Sequence, residues 1–212
     1  MKSISKVILL ALCFAAVSFA ADNLSIGGRA SFNYNMLWGE NSPKSTNGLG
    51  FNVGGALLYE INPMISISPE ITFAYRKTSF ELSESDFETT STDDLSFTFL
   101  NLDIPILARI QVIQPVYFEI GPQLSLNLSA TYFSELDKNG LTLESEGDLK
   151  DPSLTEISLI FGVGKKLDVG TGLDVNFRFM LGLTETFEES YFLKTVSGKM
   201  MMFHLGATYW FM

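Results

Sequence analysis

The sequence predicts an all-β chain that closes into an eight-stranded antiparallel up-and-down transmembrane β-barrel, on three observations. Apolar and polar residues alternate with period two through eight runs, several of them about a dozen residues long where ordinary strands run to about five or six. The connections between these runs alternate short and long, which is the asymmetry of outer-membrane barrels. No segment after the N-terminal run carries a convincing helical period.

The first element is not part of that fold. Lys2 and Lys6 precede an apolar run from Val7 to Val17, and Ser18-Phe19-Ala20 supplies the small-x-small pattern of a signal peptidase site. The run is shorter than the roughly 20 residues of a membrane-spanning helix. Residues 1–20 are therefore expected to be a cleaved signal peptide, and 21–212 the exported barrel domain. The single cysteine, Cys13, lies inside the signal, and Leu12 before it is too large for a lipoprotein site. The exported part is thus held together without disulfides. Of the 212 residues 46% are hydrophobic and 18% charged, with a formal net charge of −10. A soluble domain carries about a quarter charged residues. The acidity excludes a nucleic-acid partner, which needs a basic stripe to neutralise phosphates.

In the first strand, Leu24, Ile26, Ala30, Phe32, Tyr34 and Met36 share a phase opposite Ser25, Arg29, Ser31, Asn33 and Asn35. The second sets Leu49, Phe51, Val53, Leu57, Tyr59 and Ile61 against Gly50, Asn52, Gly54 and Glu60. In the third, Ile65, Ile67, Ile71, Phe73 and Tyr75 oppose Ser66, Ser68, Glu70, Thr72 and Arg76. The fourth, Leu95 to Arg109, changes phase where Phe99 and Leu100 adjoin, which predicts a β-bulge. The fifth runs from Val116 to Leu128, and the last three cover about Leu154 to Lys165, Leu173 to Thr184 and Lys199 to Phe211. Short connections fall near 61–64, 111–115 and 166–171; long polar ones fall at 39–47, 77–94, 133–151 and 185–198.

Alternation alone does not say which phase is inside, but three features turn the apolar phase toward lipid. The polar phase is rich in Gly, Ser and Asn and poor in mid-strand Lys, as in a crowded interior. Aromatic residues gather toward strand ends, at Tyr34, Trp38, Tyr59, Tyr75, Tyr132, Tyr209 and Phe211, as in interfacial girdles. Phe203, Leu205, Ala207, Tyr209 and Phe211 end the chain in one apolar phase, resembling the terminal strand read by the outer-membrane insertion machinery.

Pro69-Glu70-Ile71, then Leu102-Asp103-Ile104-Pro105-Ile106-Leu107, then Phe118-Glu119-Ile120-Gly121-Pro122 resemble, in order and spacing, the strand motifs of the PorT-like outer-membrane β-barrel domain family. The resemblance covers essentially the whole exported chain. It implies an eight-stranded outer-membrane barrel, and it carries over no catalytic residues.

By phase, Arg29, Arg76, Arg109 and Arg178 point inward together with Glu60, Glu70, Asp103, Glu119, Glu156 and Asp174. Buried charges persist only when paired, so a self-neutralising polar plug is expected. Arg29, Glu70, Arg76, Asp103, Glu119 and Arg178 are its candidate members, with Arg29, Glu70 and Arg178 at the centre. A barrel of this strand number is just wide enough to be filled by side chains, which leaves a narrow pore as the second reading. A lipid-modifying enzyme is the third: the only histidine, His204, has no serine close after it and no cysteine nucleophile in the exported chain. No catalytic residues, cofactor or metal ligands are assigned, since no His or Cys cluster is present.

Most of the 24 acidic residues fall in the long connections: Glu40, then Glu81 to Asp94, then Glu135 to Asp151, then Glu185 to Glu189. None has the spacing of a dedicated calcium loop. The expectation is a monomeric barrel with a structural or interaction role in an outer membrane. Its partners would be outer-membrane lipid and lipopolysaccharide around the wall, the insertion machinery at the C-terminal strand, and a basic protein at the acidic rim.

Overall fold

A computed structural model describes residues 23–39, 46–86, 89–138, 141–149, 153–168, 172–191 and 194–211. The expected signal peptide lies outside the described residues. Ten strands follow in chain order: β1 (Leu24–Trp38), β2 (Thr46–Asn62), β3 (Ile65–Asp86), β4 (Thr89–Ile113), β5 (Val116–Lys138), β6 (Leu141–Asp148), β7 (Thr155–Asp168), β8 (Gly172–Gly182), β9 (Phe187–Tyr191) and β10 (Lys194–Trp210). Eight of them, in the order β1-β2-β3-β4-β5-β7-β8-β10, form the wall. The ring closes where β10 meets β1, from Gly27↔Trp210 to Trp38↔Lys199. Among the described residues closure leaves no unpaired edge in the eight-stranded ring, the condition for a sheet to stand in hydrocarbon.

The short turns are held locally. Asn62 Oδ1 accepts hydrogen bonds from the N–H groups of Met64 and Ile65, both at 2.9 Å, closing the β2–β3 turn. Gln111 Nε2 donates to the Val116 carbonyl at 2.9 Å and braces the β4–β5 turn.

Much of the expected long loops is strand. The β3–β4 ladder runs on to Asp86↔Thr89, β5 pairs with β6 from Thr131↔Asp148 to Lys138↔Leu141, and β9 pairs with β10 from Gly198↔Phe187 to Lys194↔Tyr191. These segments are built from Ser, Thr, Glu and Asp with few apolar residues, so they carry no apolar alternation to betray a strand. β6 continues the line of β7 along β5, and β9 that of β8 along β10, with a break in each. Backbone bonds bridge the breaks: Ser153 N–H donates to the Thr186 carbonyl at 3.1 Å and Thr186 N–H to the Gly198 carbonyl at 2.9 Å.

The lower wall is apolar outside and charged inside: Phe32 is 76% exposed and Leu205 65%, while Arg76 and Asp103 are fully buried. On β3 the outward apolar band runs from Ile65 to Tyr75 and on β4 from Leu100 to Ile110. Either length matches the roughly 9–11 residues that a tilted strand needs to cross a bilayer. Above that band the polarity reverses. Lys77, Ser79, Ser96 and Thr98 face outward, and Phe80, Leu95, Phe97 and Phe99 are buried inside.

This reversal corrects the bulge expected on β4. Its odd-numbered residues face inward from Leu95 to Arg109, and its ladder with β3 keeps one register from Thr72↔Asp103 to Asp86↔Thr89. The apolar pattern changes phase because the filling of the barrel changes. A register shift does occur at that level, but the extra residue is on β5: Leu100 pairs with Ser129 and Asn101 with Asn127. Tyr132, expected in the girdle, lies beyond this shift and packs against the inner apolar cluster.

A charged lumen beneath an apolar head

Three layers fill the barrel. In the lowest, Arg178 on β8 reaches across the ring to Glu70 on β3, the strand diametrically opposite in the pairing order. Its Nη1 and Nη2 donate to the two Glu70 oxygens at 2.8 and 2.7 Å, and its Nε donates to Glu119 Oε2 on β5 at 2.7 Å. Arg29 on β1 places Nε 3.3 Å from Glu70 Oε2 and donates to Thr208 and Asn176. Arg109 on β4 sets Nε 2.8 Å from Glu119 Oε1 and donates from Nη1 to Asp174 Oδ2 at 2.9 Å. Three guanidinium groups thus meet three carboxylates, Glu70, Glu119 and Asp174, and bidentate forks supply the geometry that such buried pairs need.

The floor of this layer is aromatic. The Arg109 guanidinium carbon lies 4.6 Å from the Tyr117 ring centre and 5.2 Å from that of Trp210, whose Nε1 donates to Asp174 Oδ2 at 2.9 Å. Tyr117 fits there because Gly164 stands opposite it on β7, where a Cβ would run into the ring.

The middle layer joins Arg76 and Asp103 at 2.5 Å, with Arg76 Nη1 3.7 Å from Glu156 Oε2. Asn52 Nδ2 donates to Asp103 at 3.1 Å, and Thr186 at the β8–β9 break donates to Glu156 at 3.3 Å. The top layer is apolar: Leu37, Phe80, Leu95, Phe97, Phe99, Leu149, Met200 and Met202 belong to one buried cluster, in which the Phe97 ring stacks on Phe80 at 5.4 Å. Gln123 stands at the junction and donates to Met180 Sδ at 3.3 Å.

All six residues singled out in the sequence are buried and inward, but the structure divides them. Arg29, Glu70, Glu119 and Arg178 share the lower layer, while Arg76 and Asp103 form the middle one. Glu60 is not in the plug; its side chain is half exposed at the short-turn rim, 3.9 Å from Lys166. That is where β2 runs out of the ring, so an inward phase there reaches water. Trp210, Thr208 and Asn176 were not singled out, although the inward phase of Gly206 and His204 contains the first two. The apolar top layer was likewise missed. His204 is buried between Asn33 on β1 and Arg178 on β8, and neither is a nucleophile.

A closed ladder with lipid-facing apolar residues and an ion-paired interior defines an integral outer-membrane β-barrel protein. The chain belongs to the outer membrane protein beta-barrel domain family, whose model matches residues 18–188. Among solved structures it is similar to Ail, the attachment invasion locus protein of Yersinia pestis, at 13% identity over 89% of this chain and 97% of that one, with a TM-score of 0.38. Similarity extends to Neisserial surface protein A, at 12% identity over 89% and 96%, TM-score 0.41. It extends also to the outer membrane protease OmpT of Escherichia coli, at 9% identity over 88% and 93%, TM-score 0.31. No curated protein matches the chain.

Proposed function

We propose that the protein is a closed, non-catalytic interaction barrel whose water-exposed head is the working surface. The observation that carries this reading is the filled bore: two ion-paired layers and an apolar layer occupy a ring wide enough only for side chains. The described acidic residues of the head, Asp94, Glu135, Glu144, Glu146, Asp148 and Glu185, are exposed, which suits a basic protein partner or cations shared with lipopolysaccharide. The outward apolar band is the surface for outer-membrane lipid, and the strand ending in Tyr209 and Phe211 the one for the insertion machinery. The protein works as a monomer after export by a signal peptide cut at Ala20.

Within its family we place the chain with the PorT-like barrels. The three motifs that suggest this lie side by side, Pro69 pairing with Ile106 and Pro105 with Gln123 on adjacent strands.

Recording from planar bilayers containing refolded residues 21–212 tests the closed bore. No steady conductance is expected, and a reproducible open level would assign the protein to the narrow pores instead. An acyl-release assay on lipopolysaccharide, expected to be blank, tests the non-catalytic half of the reading.

A further inference from the structure

Above the ring the wall is open along one side. β7 begins at Thr155 and β8 ends at Gly182; beyond them β6 continues along β5 and β9 along β10. Among the described residues β6 pairs only with β5 and β9 only with β10, so each presents a free edge to the gap between them. Leu149 N–H donates to the Ala130 carbonyl at 3.0 Å, in line with the register Thr131↔Asp148. By the alternation of an antiparallel ladder, Gly147, Ser145 and Leu143 then turn their main-chain groups toward β5. The N–H and C=O groups of Thr142, Glu144, Glu146 and Asp148 point the other way, along the free edge.

The side chains on that edge say what completes it. Glu144, Glu146 and Asp148 are exposed, and Glu144 stands directly opposite Glu135 on β5, itself opposite Asp94 on β4. Like charges set opposite one another destabilise a sheet, and a cation at the next strand position offsets that. Leu143, in the alternate phase, is 56% exposed. Another main chain is what supplies carbonyls and N–H groups at the spacing of a strand edge. A second copy of β6 would set acids against acids, the device by which natural edges bar self-pairing. The complement is a strand that alternates basic and apolar residues.

We infer that the β6 edge takes up an extended segment of a partner protein as an added antiparallel strand, with basic residues opposite Glu144, Glu146 and Asp148 and apolar ones between. This rests on the reading of the head as the working surface and adds the place and the main-chain mode of recognition. The probe is a fluorescently labelled acetyl-Val-Lys-Val-Lys-Val-Lys-Val-amide, titrated by anisotropy against residues 21–212 refolded in a non-ionic detergent. Binding saturates, and hydrogen exchange slows over 142–148. In the added strand the lysine N–H groups face β6 and the valine ones face away. Methylating the main-chain nitrogens of two lysines therefore weakens binding at least about tenfold, as the loss of two hydrogen bonds does, while the same change at two valines does not. Glu146→Pro, which takes an N–H from the free edge and none from the β5 ladder, weakens binding more than Glu146→Gln, which takes only the charge. Equal binding of the lysine- and valine-methylated peptides would mean that charge alone attracts them, overturning the added strand while leaving the acidic head as the working surface. Equal binding of a peptide with glutamate in place of lysine would overturn the basic complement, and binding of none of these peptides would overturn both the edge and the basic partner.

Discussion

Below the level of Tyr75 and Leu100 the barrel gathers charges at its centre, with Leu58 and Leu107 buried beside them; above it the same strands bury an apolar cluster. In the lower half the outside is hydrocarbon, so the apolar phase must face out and the inward phase is left to whatever polar groups can satisfy one another. In the head the outside is water, and the sheet returns to the ordinary arrangement with Phe97, Phe99 and Met200 buried. One continuous β-sheet therefore meets two solvents, and the side of a strand that is apolar is set by the solvent outside it.

The largest expected effect comes from breaking the lower half. Arg178→Ala removes the fork shared by Glu70 and Glu119, leaving two buried carboxylates short of a partner. Orphaning one member of a buried pair costs about 3–5 kcal/mol, so the folded band in an unboiled gel should be lost at a clearly lower temperature. Combining Arg178→Met with Glu119→Gln should restore most of it, because Arg29–Glu70 and Arg109–Asp174 then remain as two balanced pairs. An unchanged melt of Arg178→Ala would reject the network as a structural element.

Phe97→Ala is the matching lesion in the head. It leaves a cavity between Phe80 and Phe99 at about 3–5 kcal/mol by soluble-core precedent. Hydrogen exchange should rise along β4 near Leu95 and stay slow near Asp103, and an equal rise at both levels would mean that the two halves unfold together. Smaller is Trp38→Phe, which weakens the contact of Lys199 Nζ 5.4 Å over the indole, worth about 0.5–1 kcal/mol at an exposed site. Smallest is Lys166→Ala at the rim, where a half-exposed pair at 3.9 Å is worth about 0–1 kcal/mol and thermal melting should not move measurably.

The lower half was legible because lipid imposes a period on it. Phe32, Phe51, Phe73 and Leu205 mark the outside of their strands without ambiguity, and their neighbours Arg29, Glu70 and Arg178 follow inward. The head was legible only in part. Its hydroxyl-rich and acidic strands resemble loops, and the shift from Phe99 to Leu100 imitates a bulge when the sequence is read under one solvent. Asp174 and Arg109 were placed inward by phase, yet nothing in their spacing says that Trp210, far along the chain, caps them.

The sequence by itself determined the number of wall strands, the closed antiparallel order, the lipid-facing phase and the inward placement of the arginines, because each follows from local period and turn length. Only the tertiary structure decided which charges meet, that the upper filling is apolar, and that Glu60 and Tyr132 leave the places their phase assigned them. The physical reason is that pairing across a barrel depends on ring position and stagger. β3 and β8 become opposite neighbours only after the last strand has bonded to the first.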